Sequence, residues 1–237
     1  FFFKQKTAYE ISTRDWSSDV CSSDLAEPRP RHPNGPMNSQ TQRSRIAGPA
    51  GELECAIDAP AGAAHGVAVL CHPHPLHGGT MDNKVVQTLA RAFVALGWRA
   101  VRFNFRGIGQ SAGAWDHGQG EIDDALAVIQ AHREAGLPLV LGGFSFGGYV
   151  AANAAQRAGD VQRLVLVAPA VVNFNVPAVP ADTLVLHGEA DDVVPLAAVF
   201  DWARPQSLPV TVVPGAGHFF HGQLPLLKSL VTGAWHR

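Results

Sequence analysis

The fold class predicted by this sequence is α/β: a single domain built on a mostly parallel, doubly wound sheet flanked by helices. Three observations predict it. Short all-apolar runs alternate with stretches of helical periodicity along most of the chain. The apolar runs within the expected strands His65–Cys71 and Val161–Val167 are continuous rather than alternating, as expected of parallel strands buried on both faces. Each polar, glycine-rich motif follows such a run, where right-handed crossovers gather the loops along one sheet edge.

The 237 residues suit one large domain or two small ones, and 46% hydrophobic against 16% charged residues permits a sizeable core. A net charge of −2 offers no electrostatic footprint for nucleic acid or an anionic membrane. No apolar run approaches the ~20 residues of a membrane span. Three cysteines make no disulfide framework, which points to a reducing, cytoplasmic setting. The partner implied is a small molecule. Nothing in the sequence sets the oligomeric state.

The first residues read differently. Lys4–Ile11 and Asp15–Leu25 back-translate, in one frame, into two stretches of short-read sequencing adapter. Residues 1–25 are therefore expected to be non-native and are set apart, as an expression scar would be. With the proline-rich stretch that follows, they make residues 1–36 an adapter translation plus a disordered lead. Met37 is the expected start, 37–50 an N-terminal lead, and 51–237 the domain.

Within the domain, Gly51–Ala59 alternates loosely and predicts an antiparallel edge strand. A buried strand over His65–Cys71 precedes a breaker-rich loop, His72–Met81. Asp82 or Asn83 can cap the next helix, where Val85, Val86, Leu89, Ala90, Phe93 and Val94 recur at helical spacing up to Gly97. Arg99–Phe105 predicts a strand, closed by Arg106-Gly107-Ile108-Gly109-Gln110-Ser111. A helix follows over about 121–134, then a strand that starts at Leu139 and runs into Gly143-Phe144-Ser145-Phe146-Gly147, and a helix over Gly147–Arg157. Strands at Val161–Val167, Thr183–Leu186 and Val210–Val213, with helices at Leu196–Trp202 and Leu224–Trp235, complete the pattern. The connection after Val167 is short, so little or no lid is expected.

The chemistry starts at Gly143-Phe144-Ser145-Phe146-Gly147. A Gly-x-Ser-x-Gly string between a strand and a helix is the context of a nucleophile elbow, with glycines where strand and helix backbones crowd. A serine hydroxyl needs a base, usually a histidine oriented by a carboxylate. Downstream strand ends offer Asp191 or Asp192 and then His218, with His221 as another candidate base. An oxyanion hole needs backbone N–H donors. Phe146 supplies one from the start of its helix. The second should come from the loop after Cys71, where Pro73 and Pro75 lack an N–H, leaving His74 first and Leu76 second.

The order Ser145, Asp191, His218, each after a strand, resembles the α/β-hydrolases over roughly Gly51–Arg237. The loop His72–Lys84 (HPHPLHGGTMDNK) resembles that of a small, lid-poor bacterial group, and Arg106–Ser111 resembles the superfamily's loop after its fourth strand. The family pattern Gly-x-x-Asp-x-x-Val-Pro aligns Gly188, Asp191, Val194 and Pro195, which favours Asp191 over Asp192 as the acid. The resemblance implies a serine hydrolase of small or medium carboxylic esters, acting through Ser145, His218 and Asp191 with no cofactor. Thioesterase, amidase, peptidase and acyltransferase activities share the same constellation. A catalytically silent binding protein on this scaffold is the alternative outside enzymes.

Other residues carry plainer readings. His72, His74 and His77 do not match a zinc-protease helix or a structural zinc spacing, so no metal is expected and they shape the pocket. Gly107-Ile108-Gly109 lacks the rest of a nucleotide loop. Arg106 is read as a buttress between loops, and Asp116, Glu121, Asp123 and Asp124 as helix-start carboxylates. Trp115, Phe144, Phe146 and Phe219 are expected to line an apolar acyl pocket.

Overall fold

The computed structural model describes residues 41–235. Residues 1–36, with the adapter-like stretch, and residues 37–40 of the lead lie outside the described residues. The elements, in chain order, are β1 (Gln42–Gly48), β2 (Gly51–Asp58), β3 (Val67–Cys71), α1 (Lys84–Ala95), β4 (Arg99–Phe103), α2 (Gln119–His132), β5 (Leu139–Phe144), α3 (Phe146–Ala158), β6 (Val161–Val167), β7 (Leu184–Gly188), α4 (Leu196–Ala203), β8 (Val210–Val213) and α5 (Leu224–Ala234). They build one eight-stranded sheet in the order β1-β2-β4-β3-β5-β6-β7-β8. β1 and β2 run antiparallel to their neighbours, and every pairing from β4 to β8 is parallel.

The lead contains sheet. β1 pairs with β2 from Gln42 opposite Ile57 to Gly48 opposite Gly51, so β2 is not the edge. Its half-buried positions, Ser44, Ile46 and Gly48, alternate with exposed ones, but only one of the three is strongly apolar. β2 covers the β4 side instead, with Leu53, Cys55 and Ala56 buried.

β3 and β5, in the middle of the sheet, are buried along their length, whereas β6 and β8 are buried only toward their carboxyl ends. One cluster joins α2 and α3 to one face through Ile122, Val128, Phe146, Val150 and Leu166. A second joins α1 and α5 to the other through Val86, Leu89, Phe93, Leu227 and Val231. α1 begins where Asn83 accepts the Val85 N–H at 2.9 Å, an N-cap made from one of the two expected residues. Between β6 and β7 the described chain has no helix, so no helical lid stands over the carboxyl ends of the strands.

The chain reverses direction of travel across the sheet at β3: it steps outward to β4, then returns past β3 to β5. The loops after β3 and β5 therefore flank a crevice at the carboxyl edge, where open α/β sheets bind ligands. His72–Gly79 and Ser145 lie there.

Candidate active site

The turn from β5 into α3 is held by close backbone approach. Ser145 sits at its apex with φ 56° and ψ −118°, strained for a residue with a side chain, and is only 7% exposed. A Cβ on Gly143 would lie 2.0 Å from the Gly147 carbonyl oxygen, and one on Gly147 would lie 2.2 Å from that of Cys71. No side chain fits at either place, so both motif glycines are steric requirements. The Ser145 N–H donates to the Val167 carbonyl at 2.9 Å, and its own carbonyl accepts from Gly148 and Ala170. Among the described residues its hydroxyl makes no hydrogen bond.

The loop after β3 folds back on itself. Gly79 and His77 donate their N–H groups to the His74 carbonyl, at 3.0 and 3.1 Å. Gly79 passes so close that a Cβ there would sit 2.0 Å from the Pro73 oxygen. The remainder of the motif is anchored to the sheet. The Met81 N–H donates to Asn104 Oδ1, and Arg102 donates to the Met81 carbonyl and to Asp82 and Asp58. Thus the Met-Asp-Asn part of the motif docks the start of α1 on β4. His74 and Phe146, the two expected oxyanion donors, approach with ring centroids 5.1 Å apart. Neither backbone N–H donates to another described group.

Asp191 and His218 come together through their loops. The Glu189 and Ala190 N–H groups donate to the Val213 and Ala216 carbonyls, which ties the loop after β7 to the loop after β8. His218 Nδ1 then lies 2.8 Å from Asp191 Oδ2. Asp191 Oδ1 accepts the Val193 and Val194 N–H groups at 2.9 and 2.7 Å. Burial pushes the Asp191 carboxyl up, but its hydrogen bonds to His218 and Val194 and the nearby His187 together outweigh this and leave it below the ordinary carboxylate range. Asp192, the rival acid, is exposed and takes no part in these bonds. The His218 ring rests 4.9 Å from that of Phe144, the residue before Ser145. His221 instead sits beside Phe219, at 5.8 Å.

His187 is a site residue that the sequence reading passed over. Its ring is fully buried, its Nε2 donates to the Val194 carbonyl at 2.8 Å and lies 3.5 Å from Asp191 Oδ2. It fastens both ends of the acid loop from beneath. The signal was present: a histidine closing an otherwise apolar strand, directly before Gly188.

The four aromatic residues expected to line one apolar pocket fall into two ring clusters. His74, Trp115, Phe146, Phe174 and Tyr149 form one ring cluster, beside the loop after β3. Phe144, His218 and Phe219 form the other, beside the loop after β8. Phe144 and Phe146 separate because they straddle the elbow. Phe219 and Val172 are exposed, as is Leu76.

The acidic residues also need correcting. Asp124 is no helix cap: it is fully buried and chelates Arg106 Nε and Nη2, while accepting the Arg106 N–H. Asp123 pairs with Arg157. Only Glu121 caps, taking the Asp116 and Gly118 N–H groups. Arg106 does buttress its loop, lying so flat that a Cβ on Gly120 would meet its guanidinium.

Comparison with known proteins agrees with this frame. A solved structure of XC6422 from Xanthomonas campestris, described as an α/β serine hydrolase without lid, is 38% identical, with a TM-score of 0.78 over 86% of this chain and 97% of that one. An α/β serine hydrolase homologue from Coxiella burnetii is 42% identical, with a TM-score of 0.76 over 83% of this chain and 99% of its own. The chain belongs to the α/β-hydrolase superfamily. Its coarse class is hydrolase. Protein RP471 of Rickettsia prowazekii (strain Madrid E) is 33% identical over 172 residues, 65% of this chain and 71% of that protein. The family described as serine aminopeptidase, S33, matches residues 74–179, a span that holds Ser145 and His74 but ends before Asp191 and His218. Among the described residues no helix is long and apolar enough to cross a membrane.

Proposed function

We propose that this hydrolase cleaves small or medium carboxylic esters through an acyl-enzyme, with Ser145 as nucleophile, His218 as general base and Asp191 as the carboxylate that orients it. The supporting observation is the 2.8 Å bond between His218 Nδ1 and Asp191 Oδ2, beside a strained serine turn. With Nδ1 committed to Asp191, Nε2 is the nitrogen free to take the serine proton. The absence of a serine–histidine hydrogen bond does not count against the pair, since such bonds often tighten only when substrate is bound. Ser145 Oγ attacks the carbonyl carbon as its proton passes to His218. The oxyanion is held by the Phe146 and His74 N–H groups, and collapse expels the alcohol, which takes the proton from His218. Water, deprotonated by His218, then releases the acid.

Geometry gives the ring clusters different parts. The general acid must reach the leaving group, so the alcohol portion lies beside His218, Phe144 and Phe219. The acyl portion then lies toward Trp115 and Phe174, whose half-buried rings favour an apolar acyl group. Cys55 and Cys71 are buried and unpaired, which fits a cytoplasmic setting.

A fluorophosphonate probe should label the wild type, and p-nitrophenyl butyrate should be turned over. Both should vanish in Ser145→Ala; equal labelling of that variant would sink the mechanism. The family match to serine aminopeptidases favours a second reading, amide hydrolysis. A p-nitroanilide cleaved faster than the matching ester, with the same dependence on Ser145, would choose it.

A further inference from the structure

We propose that His72 is a positioning residue of the oxyanion hole, holding the Pro73 carbonyl so that the His74 N–H is aimed toward Ser145. The inference rests on the hydrolase reading above and adds to it how one of the two donors is set. His72 is fully buried directly after β3 and touches no expected reacting atom. Its Nε2 accepts the Phe105 N–H at 3.1 Å. That bond requires a bare Nε2, so the proton sits on Nδ1. Nδ1 lies 2.6 Å from the Pro73 carbonyl oxygen and donates to it.

The consequence follows from the peptide group. The Pro73 carbonyl and the His74 N–H belong to one planar, trans amide, so they point in opposite directions. Fixing the oxygen on the His72 side turns the N–H to the other side. The next amide is fixed as well, by the two N–H groups that converge on the His74 carbonyl. The Gly79 backbone closes over the Pro73 oxygen, where a Cβ would come within 2.0 Å. The His74 N–H is left without a described partner, as is the Phe146 N–H, and the rings of the two residues lie 5.1 Å apart.

The arrangement also accounts for the choice of residue. A hydrogen-bond acceptor facing Phe105 and a donor facing Pro73 must sit on opposite edges of one rigid, buried group. A neutral imidazole supplies both without rotamer freedom. Burial drives the His72 pKa from 6.5 to about 3, so this donor–acceptor polarity persists at neutral pH. Both ring nitrogens are thereby committed, which leaves neither available as a metal ligand.

The test compares a nitrophenyl ester with its thionoester, whose sulfur is a poor hydrogen-bond acceptor. In His72→Leu, kcat on the ester should fall ~10- to 100-fold with KM within about twofold, part of the ~10²–10³ that loss of one oxyanion donor costs. The ester-to-thionoester ratio should fall with it. His72→Asn, whose amide N–H can replace Nδ1–H, should recover most of both. An unmoved ratio in folded His72→Leu overturns the role, as does a loss confined to KM. A measurement needing no variant is the 15N spectrum of His72 in the wild type, with Nδ1 protonated and Nε2 bare expected from pH 5 to 8. The opposite tautomer overturns the proposal. A wild type without Ser145-dependent turnover overturns the hydrolase reading and this role together, whereas normal turnover with an unmoved ratio overturns this role alone.

Discussion

The loops on the two sides of Ser145 are held by different physics. The first part of the loop after β3, His72–Gly79, depends on neutral contacts: a buried imidazole, a glycine crossing over a peptide, and hydrogen bonds between amides. The loop after β7 depends on one carboxylate that collects two backbone N–H groups and an imidazole. In the proposed mechanism the first sets donors for a charge that appears only during reaction. The second holds a charge that is present throughout. A defect in the carboxylate should therefore damage the chemistry more than the fold, and a defect in the neutral loop should damage both.

Asp191→Asn tests the charged side and carries the largest expected effect. The amide oxygen can still accept the Val193 and Val194 N–H groups, so the loop should persist. Its NH2 would face His218 Nδ1, which forces the imidazole into the wrong tautomer. Turnover of p-nitrophenyl butyrate should fall roughly 10⁴-fold. Near-wild-type turnover would remove Asp191 from the mechanism.

Gly79→Ala tests the neutral side. Its Cβ would meet backbone, not a flexible side chain, at 2.0 Å from the Pro73 oxygen. Stability should drop by about 3 kcal/mol or more, measured by denaturant titration, and the residual folded protein should be slow. Loss of activity with unchanged stability would mean that the loop can shift to make room.

pH separates the two sides further. The native pKa of His72 lies below its unfolded value, so the unfolded state binds its proton first. Its contribution to stability is full above about 6.5 and declines as pH falls toward about 3, at roughly 1.4 kcal/mol per pH unit. Asp191 is also depressed, so its contribution is complete above the ordinary carboxylate range and is lost only below it. Wild-type stability should therefore slope downward already between about pH 6 and 4. In His72→Asn that slope should be shallower by close to one proton. An identical slope would mean that His72 is not held neutral by the fold.

The same contrast explains what the sequence made legible. The elbow is local: Gly143 and Gly147 lie two residues from Ser145, and the steric demands that fix them act within the same turn. The order Ser145, Asp191, His218 is readable because each residue follows a strand. What was not readable depended on the third dimension. Asp124 lies in a helix start and resembled a cap until the sheet brought Arg106 against it, 18 residues away in sequence. β1 was missed because a two-stranded antiparallel margin with one face half-exposed needs little apolar patterning. His187 lies just past the apolar run Thr183–Leu186, where its burial beneath the Asp191 loop leaves no local pattern. The division of Phe144 from Phe146 follows from the elbow itself, but only once its φ and ψ are known.

The smallest expected effect is the one that fixes the acid. Asp192 sits next to Asp191 in sequence, carries the same charge, and reaches the same loop. It is exposed, while its neighbour is 7% exposed with both oxygens engaged. An exposed carboxylate several bonds from the imidazole is screened by water and can add little to the base. Asp192→Asn should leave turnover within about twofold of the wild type and stability within about 0.5 kcal/mol. Because the two substitutions remove the same charge from adjacent positions, a change in overall electrostatics would affect both alike. Only a directed hydrogen bond separates them, so a loss in Asp192→Asn matching that in Asp191→Asn would transfer the role from geometry to net charge.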